Sequence, residues 1–371
     1  MLHKIHISSL ACLIVMAAGA VAHAAEAPGL GFMHGDWEIT CDNTRTCRAA
    51  GYHSESASDD GDAEPNVEPN AEPLPVSVLL TRNAGPHAPV RAELQIGNAG
   101  AEDEKDELHL PLALTMSING QALGKVAIVN DSWTADLTPA QNKALLAALT
   151  RASKIAWSDG KRTWRLSDKG AAAVLLKMDE FQGRLGTPGA LVRKGTRDEG
   201  SVLPALPAPV VVAAAVPGPE PLRWPRARLK SLRDALKVSS DECPDLNETG
   251  KLEDALTVQR LSGGKLLASL TCWSGAYNQG SAYWVINANP PYAPEQVTTD
   301  AAGYMDGKID GSQKGRGIGD CWSFNFWTWD GKRFVHTSEG TTGQCRMVAP
   351  GGPWSLPVLV TTVREAPPAR P

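Results

Sequence analysis

Two kinds of hydrophobic spacing recur along this chain of 371 residues. Alternating apolar and polar positions, typical of half-buried strands, occur in DWEIT, and PVSVLLTRN and VRAELQIG are also predicted to be strands. Two other segments have helical spacing. TPAQNKALLAALTRA has Thr138 as its predicted N-cap and Pro139 at the first helical position, and Ser167 is predicted to cap DKGAAAVLLKMDEFQGRL. Helices beside antiparallel strands predict an α+β fold.

Turn-forming pairs separate the predicted strands and indicate hairpins. Asn119-Gly120 ends a strand in the first half of the chain, and Asp159-Gly160 joins two short alternating segments. In the second half, a short helix, RARLKSLRDALKV, precedes strands that turn at Gly263-Gly264 and at Asp330-Gly331. The second half is therefore expected to be mostly antiparallel β-structure.

The first 24 residues have the pattern of a secretory signal peptide. Lys4 supplies a positive start, an uncharged apolar run of about 15 residues follows, and Ala22-His23-Ala24 fits the small-x-small cleavage rule. The run is shorter than the roughly 20 residues that a spanning helix needs. We expect a periplasmic or secreted bacterial protein cleaved after Ala24, with no integral membrane segment in the mature chain.

A change in composition predicts two domains joined by a linker. The stretch from Ser201 to Pro225 contains seven prolines, which favours an extended and semi-rigid spacer. We therefore predict an N-terminal α+β domain over residues 28–195, a Pro/Ala-rich linker over 196–225 and a C-terminal β-rich domain over 226–365. Within the first domain, residues 54–75 are rich in acid and proline and predict a disordered loop.

The charge of the chain excludes some classes of partner. The formal net charge is −5, and removal of residues 1–24, which hold one lysine and no acid, makes it −6. A mildly acidic chain is a poor candidate for binding nucleic acid or an anionic membrane surface.

The cysteines suggest disulfides. Removing Cys12 with the signal segment leaves an even number, as expected for an exported chain with disulfides. Sequence alone allows 15 connectivities for six cysteines, but closeness along the chain suggests three local pairs. The suggested pairs are Cys41 with Cys47, Cys243 with Cys272, and Cys321 with Cys345.

Motifs for catalysis, cofactors or metals are weak. Ser158 to Lys161 and Ser262 to Lys265 fit S-x-x-K, but both stand at hairpin turns, where the helix that this motif requires is absent. The histidines lack zinc-site spacing. The glycine-rich segment 306–320 has Lys308 and Gly317 where a calcium loop needs acids at its third and twelfth positions, and it is expected to be a mobile surface loop. No catalytic, cofactor-binding or metal-binding residue is predicted.

The aromatic segment CWSFNFWTW is the most suggestive feature. Strand alternation places Trp322 on one face with two phenylalanines and places Trp327 and Trp329 on the other, so both faces are apolar. Burial on both sides is the simpler interpretation. Alternatively, one face is open for stacking with a sugar or peptide. The possible ligand contacts are then Trp322, Trp327, Trp329, Tyr277 and Trp284.

Two motifs resemble a known family. FMHGDWEITCDNTRTCRAAGY, residues 32–52, and CWSGAYNQG, residues 272–280, together resemble the exported bacterial six-cysteine proteins called domain of unknown function 1176. That resemblance implies no catalytic residue, because the family has no established activity. Trp37 and Cys41, LPLAL followed by Ile118-Asn119-Gly120, and WRLSDKGAAAVL are more weakly similar to the invasion-associated locus B family, which supports an exported β-rich domain.

These observations favour a non-enzymatic cell-envelope protein that binds a glycan, peptide or protein. Two alternatives stay open: a hydrolase of envelope polymers, and an inhibitor of a lysozyme or protease. The segment between Cys41 and Cys47 is expected to be a disulfide-closed turn with a structural role.

Overall fold

The computed structural model describes residues 29–55, 73–97, 108–218, 220–236, 242–244 and 256–366. The predicted signal peptide and most of the predicted acidic loop lie outside the described residues. Among those residues, three α-helices accompany many antiparallel strands, which confirms the β-rich α+β fold.

The N-terminal part contains a six-stranded antiparallel sheet in the order β1-β2-β3-β4-β5-β8. Along its central strands every second residue is apolar and points into the core, as the sequence predicted. Gly51 lets the Trp37 indole pack directly on β3, since a Cβ at Gly51 would lie 2.2 Å from the ring. The strands are β1 (Leu30–His34), β2 (Trp37–Cys41), β3 (Cys47–Tyr52), β4 (Val76–Arg82), β5 (Val90–Ile96) and β8 (Thr134–Asp136).

A second, four-stranded antiparallel sheet has the order β10-β9-β6-β7. The turn at Asn119-Gly120 has positive φ at both residues, as a two-residue hairpin of this kind requires. One hydrophobic core spans both sheets and the two helices of this part. The strands are β6 (Leu112–Ile118), β7 (Gln121–Ile128), β9 (Ile155–Ser158) and β10 (Thr163–Leu166).

Helix α1 (Pro139–Ala148) starts as predicted, with a capping box in which Thr138 and Gln141 satisfy each other's backbone N–H groups. Helix α2 (Ala171–Phe181) starts three residues later than Ser167 suggests. Its N-cap is Gly170, at φ 96°, where a Cβ would lie only 1.7 Å from the His34 carbonyl oxygen. This contact with a distant strand sets the start of the helix.

The C-terminal part contains helix α3 (Arg226–Ala235) and two antiparallel sheets. The first sheet has the order β12-β13-β14-β15, and in the second the order is β16-β17-β19-β20-β21, with β18 also paired to β19. The strands of the first are β12 (Thr257–Arg260), β13 (Lys265–Ser274), β14 (Gln279–Asn287) and β15 (Glu295–Ala301). Those of the second are β16 (Gly303–Met305), β17 (Lys308–Asp310), β18 (Gln313–Lys314), β19 (Trp322–Trp329), β20 (Phe334–Thr341) and β21 (Leu356–Leu359).

A short parallel ribbon joins the predicted linker to the end of the chain. Strand β11 (Val210–Ala213) pairs in parallel with β22 (Thr362–Glu365). The Ala214 amide also donates to the Trp329 carbonyl oxygen at 2.9 Å. Part of the 196–225 segment is therefore hydrogen-bonded to the second half of the chain, while the predicted domain boundaries stay a prediction.

Three disulfides are present within the described residues. They join Cys41 to Cys47, Cys243 to Cys272, and Cys321 to Cys345, the pairs that closeness along the chain suggests. The first closes the hairpin of β2 and β3, because its cysteines are directly opposite each other in the strand pairing. The third connects the start of β19 to the segment that follows β20.

Candidate functional site

The aromatic strand β19 divides the predicted ligand-contact residues into buried and accessible groups. Trp329 is 0 % exposed, and its Nε1 donates to Ser262 Oγ at 2.9 Å. Trp284, on β14 of the other C-terminal sheet, is 1 % exposed. These two tryptophans belong to the hydrophobic cores, and their contact with a ligand stays a prediction. Trp322 and Trp327 are half-buried, and Tyr277 is 47 % exposed.

Trp327 lines an open pocket of about 240 Å³ between the two C-terminal sheets. Three apolar side chains accompany it, and four side chains with polar groups complete the lining. The apolar residues are Val285, Val297 and Phe334, and the others are Glu295, Gln296, Arg333 and His336.

The hairpin of β19 and β20 positions the aromatic wall of this pocket. Its turn has Asp330 Oδ1 accepting from the Lys332 and Arg333 amides at 2.8 Å, which fixes the register. That register places Trp327 opposite His336. The two rings stack with centroids 4.9 Å apart and planes inclined by 20°, and His336 Nε2 lies 3.1 Å from Asn325 Oδ1. The stacked pair therefore forms a fixed surface rather than two loose side chains.

The sequence reasoning found Trp327 but missed the residues around it. His336 and Arg333 follow the predicted Asp330-Gly331 turn, but the loop between the two strands holds four residues, 330–333, and the first pair is Trp329 with Phe334. Counting outward from a two-residue turn would therefore have paired Trp327 with Phe334 instead of His336. Glu295, Gln296 and Val297 come from β15, which pairs with β14 and not with the aromatic hairpin. No local pattern indicates that these two sheets meet.

Trp322 and Tyr277 lie beside a different feature, the glycine-rich segment 314–320, which we call the glycine loop. The Lys314 ammonium lies over the Trp322 ring, 5.5 Å from its centroid, and Trp322 Nε1 donates to the Gly319 carbonyl oxygen. A Cβ added at Gly317 would be 3.4 Å from the Tyr277 ring. These contacts hold the glycine loop in place, although the sequence led us to expect a mobile surface loop in this segment.

A polar contact network joins the C-terminal segment 342–360, which we call the clasp, to the N-terminal sheet. Tyr52 donates its hydroxyl to Glu38 Oε1 at 2.7 Å and accepts from the Gln344 amide at 3.0 Å. Arg346 donates to Asp36 Oδ1 at 2.8 Å, and Trp354 Nε1 donates to Ser77 Oγ at 2.7 Å. Burial raises the pKa of Glu38, and the Tyr52 hydrogen bond and the Arg346 charge only partly offset this.

Apolar contacts accompany these hydrogen bonds. A small cluster combines buried residues of the N-terminal sheet with buried residues of the clasp: Ala50, Tyr52, Leu79, Val348, Trp354 and Leu356. The H-G-D-W-E motif, residues 34–38, therefore contributes Asp36 and Glu38 to this junction. Sequence reasoning missed the contact because the partners are about 300 residues apart in the chain.

The disulfide-closed turn 41–47 also has a structural role. Asp42 Oδ1 accepts from the amides of Thr44 and Thr46, which fixes the turn internally. The Asn43 side chain donates to the Val360 carbonyl oxygen and accepts from the Val360 amide. Arg45 donates to the Pro204 carbonyl oxygen at 2.9 Å. The turn is thus bonded to both the predicted linker and the end of the clasp. Arg45 makes an internal contact here.

A buried ionic cluster, also missed from sequence, supports the loop after α2. Arg184 pairs with Glu199 at 3.1 Å, and Arg82 lies 3.5 Å from Asp179, whose other oxygen accepts from the Leu191 and Val192 amides. Burial, together with the charge of Arg184, lowers the pKa of Arg82 to about 10. These charges are engaged with one another or with backbone groups, which indicates a structural cluster.

The S-x-x-K segments likewise have structural contacts. Ser158 Oγ donates to the Arg162 carbonyl oxygen at 2.7 Å inside its hairpin turn, and Ser262 accepts from Trp329. Lys265 donates to Asn287 Oδ1 at 2.9 Å. Among the described residues, Asp320 lies with Cys321 and Cys345 in one group of potential metal ligands, but the two sulfur atoms are bonded to each other.

Fold and site together define a β-rich α+β protein with three disulfides, a clasp between its two ends and an aromatic pocket between its C-terminal sheets. The chain belongs to the family described as "Protein of unknown function (DUF1176)", whose model matches residues 31–361. It is 27% identical over 328 residues to "Uncharacterized protein YpfG" of Escherichia coli strain K12, covering 81% of this chain and 84% of that protein. No solved structure matches it.

Two observations bear on where the protein resides. Three disulfides are typical of proteins that leave the reducing cytoplasm. No helix in the described part of the chain is both long and apolar enough to cross a bilayer.

Proposed function

We propose that this is an exported cell-envelope protein that binds a saccharide in the pocket beside Trp327. The observation that supports this proposal most is the combination of the stacked Trp327–His336 pair with three polar side chains at one opening. Sugars present an apolar ring face edged by hydroxyl groups, and such ligands match an aromatic surface bordered by hydrogen-bonding groups.

The size of the pocket favours one sugar ring of a longer chain. Its volume of about 240 Å³ is below the roughly 300–1,000 Å³ typical of sites for drug-sized ligands. Glu295, Gln296 and Arg333 are exposed. Their carboxylate, amide and guanidinium groups can accept from and donate to ring hydroxyls, and the open side leaves room for the rest of a polymer.

Export is part of the proposal. The three disulfides support a location outside the cytoplasm. The proposal adds a signal peptide that is cleaved after Ala24 and release into the periplasm or the medium. Sequencing the N-terminus of the protein recovered outside the cytoplasm tests this. A mature chain that starts at Ala25 is expected, and an uncleaved chain that still contains Lys4 would contradict the proposal.

Binding is tested by titrating the purified, oxidised chain with soluble peptidoglycan fragments and other envelope oligosaccharides, followed by calorimetry and tryptophan fluorescence. We expect Trp327→Ala to weaken saccharide binding by at least about tenfold, the loss usual for a central aromatic contact. Trp322→Ala is the matched control, because it removes another half-buried tryptophan of β19, beside the glycine loop.

The outcomes separate the candidate functions. Equal losses in the two variants, or no binding to any saccharide, would contradict the proposal. Binding to the peptide stem alone would make the ligand a peptide. Shortened glycan products after incubation with the wild-type chain would favour the alternative that the protein is a hydrolase.

A further inference from the structure

The pocket beside Trp327 has an apolar floor. Val285 and Phe334 are only 2 % and 8 % exposed and belong to a hydrophobic core that both C-terminal sheets share, against which the half-buried Val297 packs. These three side chains therefore lie at the deep end of the pocket. A hydroxyl group that reached them would lose its hydration without gaining a hydrogen bond, which is costly. The floor is suited to a methyl group instead.

The rim of the pocket has a hydrogen-bond acceptor from one sheet and a donor from the other. Glu295 on β15 and Arg333 just before β20 are both exposed. Glu295 is paired with Val285 in the register of β14 and β15, and Arg333 directly precedes Phe334 in the chain. An ionised carboxylate only accepts hydrogen bonds, and a guanidinium only donates them. Each sheet thus places one kind of polar group beside an apolar side chain of the floor.

Both charged groups are available to a ligand. Within the described part of the chain, the Glu295 carboxylate and the Arg333 guanidinium form neither an ion pair nor a side-chain hydrogen bond. The Arg333 backbone amide donates to Asp330 Oδ1 at 2.8 Å, which fixes the turn without using the guanidinium. The rim therefore offers one acceptor and one donor that no neighbouring side chain already occupies.

Given the saccharide-binding proposal, on which this rests, we infer that the bound sugar carries an N-acetyl group and that the pocket selects it over a plain hexose. An acetamido group combines in one small unit what the pocket can contact. Its methyl group matches the floor, its N–H can donate to Glu295, and its carbonyl oxygen can accept from Arg333. The sugar ring that carries it then lies against the aromatic wall of Trp327 and His336.

Other charged or polar substituents of a sugar fit this lining less well. A free amino group would contact Glu295 but would leave Arg333 and the apolar floor without partners. A carboxylate would contact Arg333 but would be repelled by Glu295. A hydroxyl group lacks the methyl group that the floor accommodates.

Three oligosaccharides of the same linkage and length test this selection, since they differ in one substituent of each ring. Oligomers of N-acetylglucosamine carry the acetamido group, oligomers of glucosamine an amino group, and oligomers of glucose a hydroxyl group. In calorimetric titrations of the full oxidised chain, we expect the N-acetylated oligomer to bind at least about tenfold more tightly than the other two. A missing apolar group together with its hydrogen bonds has an effect of this size in a pocket.

Arg333→Met tests the donor on the rim. The backbone amide that the turn needs is kept, so the variant should fold, and its urea midpoint checks this. We expect the ratio of the affinities for the N-acetylated and glucose oligomers to fall by about threefold to tenfold, the loss usual for one hydrogen bond. Lys332→Met is the matched control. Lys332 is an exposed cation whose amide also donates to Asp330, but its side chain is not part of the pocket lining.

The possible failures are distinguishable. Equal affinity for the N-acetylated and glucose oligomers would overturn the selection and leave the saccharide-binding proposal standing, whereas no binding to any oligomer would overturn both. Tighter binding of the glucosamine oligomer would overturn the selection, because Glu295 would then select a cation. An equal fall of the affinity ratio in Lys332→Met would also overturn it, as a general effect of charge. Binding of an N-acetylated peptide as tightly as the N-acetylated oligomer would contradict both proposals.

Discussion

Replacing Arg346 by methionine should destabilise the junction between the clasp and the N-terminal sheet. Arg346 Nη2 donates to Asp36 Oδ1 at 2.8 Å, and the two side chains are only 9% and 13% exposed. Its other nitrogens lie 3.4 Å from the His53 carbonyl oxygen and 3.1 Å from Gln344 Oε1. Methionine keeps most of the aliphatic length but leaves the Asp36 carboxylate buried without its cation.

The expected magnitude follows from this burial. Removing one partner of a fully buried ion pair costs roughly 3–5 kcal/mol, because the remaining charge is desolvated without compensation. Since both side chains keep some exposure, and Glu55 also lies near Arg346 at 3.6 Å, we expect about 2–4 kcal/mol for Arg346→Met. Asp36→Asn in the same chain should restore part of the loss, giving a coupling of about 1–3 kcal/mol in a double-mutant cycle.

Urea unfolding of the oxidised chain, followed by tryptophan fluorescence, measures these free energies. Lys230→Met is the control, because Lys230 pairs with Asp234 where both side chains are more than half exposed, and such pairs contribute about 0–1 kcal/mol. A loss below about 1 kcal/mol for Arg346→Met, or no coupling with Asp36→Asn, would refute the reasoning that this pair holds the clasp. A separate early transition for the clasp would require a three-state fit.

Two further predictions concern pH and the disulfides. Burial raises the pKa of Glu38 in the folded protein. The protonated form therefore stabilises the fold fully at pH values below the unfolded-state pKa, and this stabilisation is lost as the pH rises through the folded-state pKa. Glu38→Gln, which keeps an acceptor for Tyr52, should flatten this fall in the urea midpoint with pH; an unchanged slope would contradict it. From loop lengths, replacing both cysteines by alanine should cost about 2 kcal/mol for Cys41–Cys47 and about 3.5 kcal/mol for Cys321–Cys345. The reverse order in unfolding experiments would show that the turn 41–47 contributes more through its bonds to Pro204 and Val360 than through chain entropy.

Local chemistry made much of the fold predictable. The turns at Asp159-Gly160 and Asp330-Gly331 and the cap at Thr138 depend on residues close in sequence, so their patterns could be interpreted directly. The start of α2 could not be, because Gly170 is required by a carbonyl group on β1.

The candidate site was less predictable for the same reason. Both faces of β19 are apolar in sequence, so alternation alone could not show that Trp329 is buried while Trp327 borders a pocket. The partners that decide this come from other sheets: Ser262 beside Trp329, and the β15 residues beside Trp327. The contact between Tyr52 and Gln344 spans 292 residues. Such pairs leave no periodic signal in a single sequence.

The clasp has a consequence for the order in which the protein matures. Its residues and β22 are the last part of the described chain to emerge during synthesis, yet they cover Ala50, Tyr52 and Leu79 near the beginning. Until they arrive, this patch of the first sheet stays uncovered in a newly exported chain. Contacts of such long sequence separation form late, because the entropy of closing a long loop must be overcome first. Before the clasp docks, the N-terminal sheet of a newly made molecule therefore exposes this patch to chaperones, proteases and other copies of the chain.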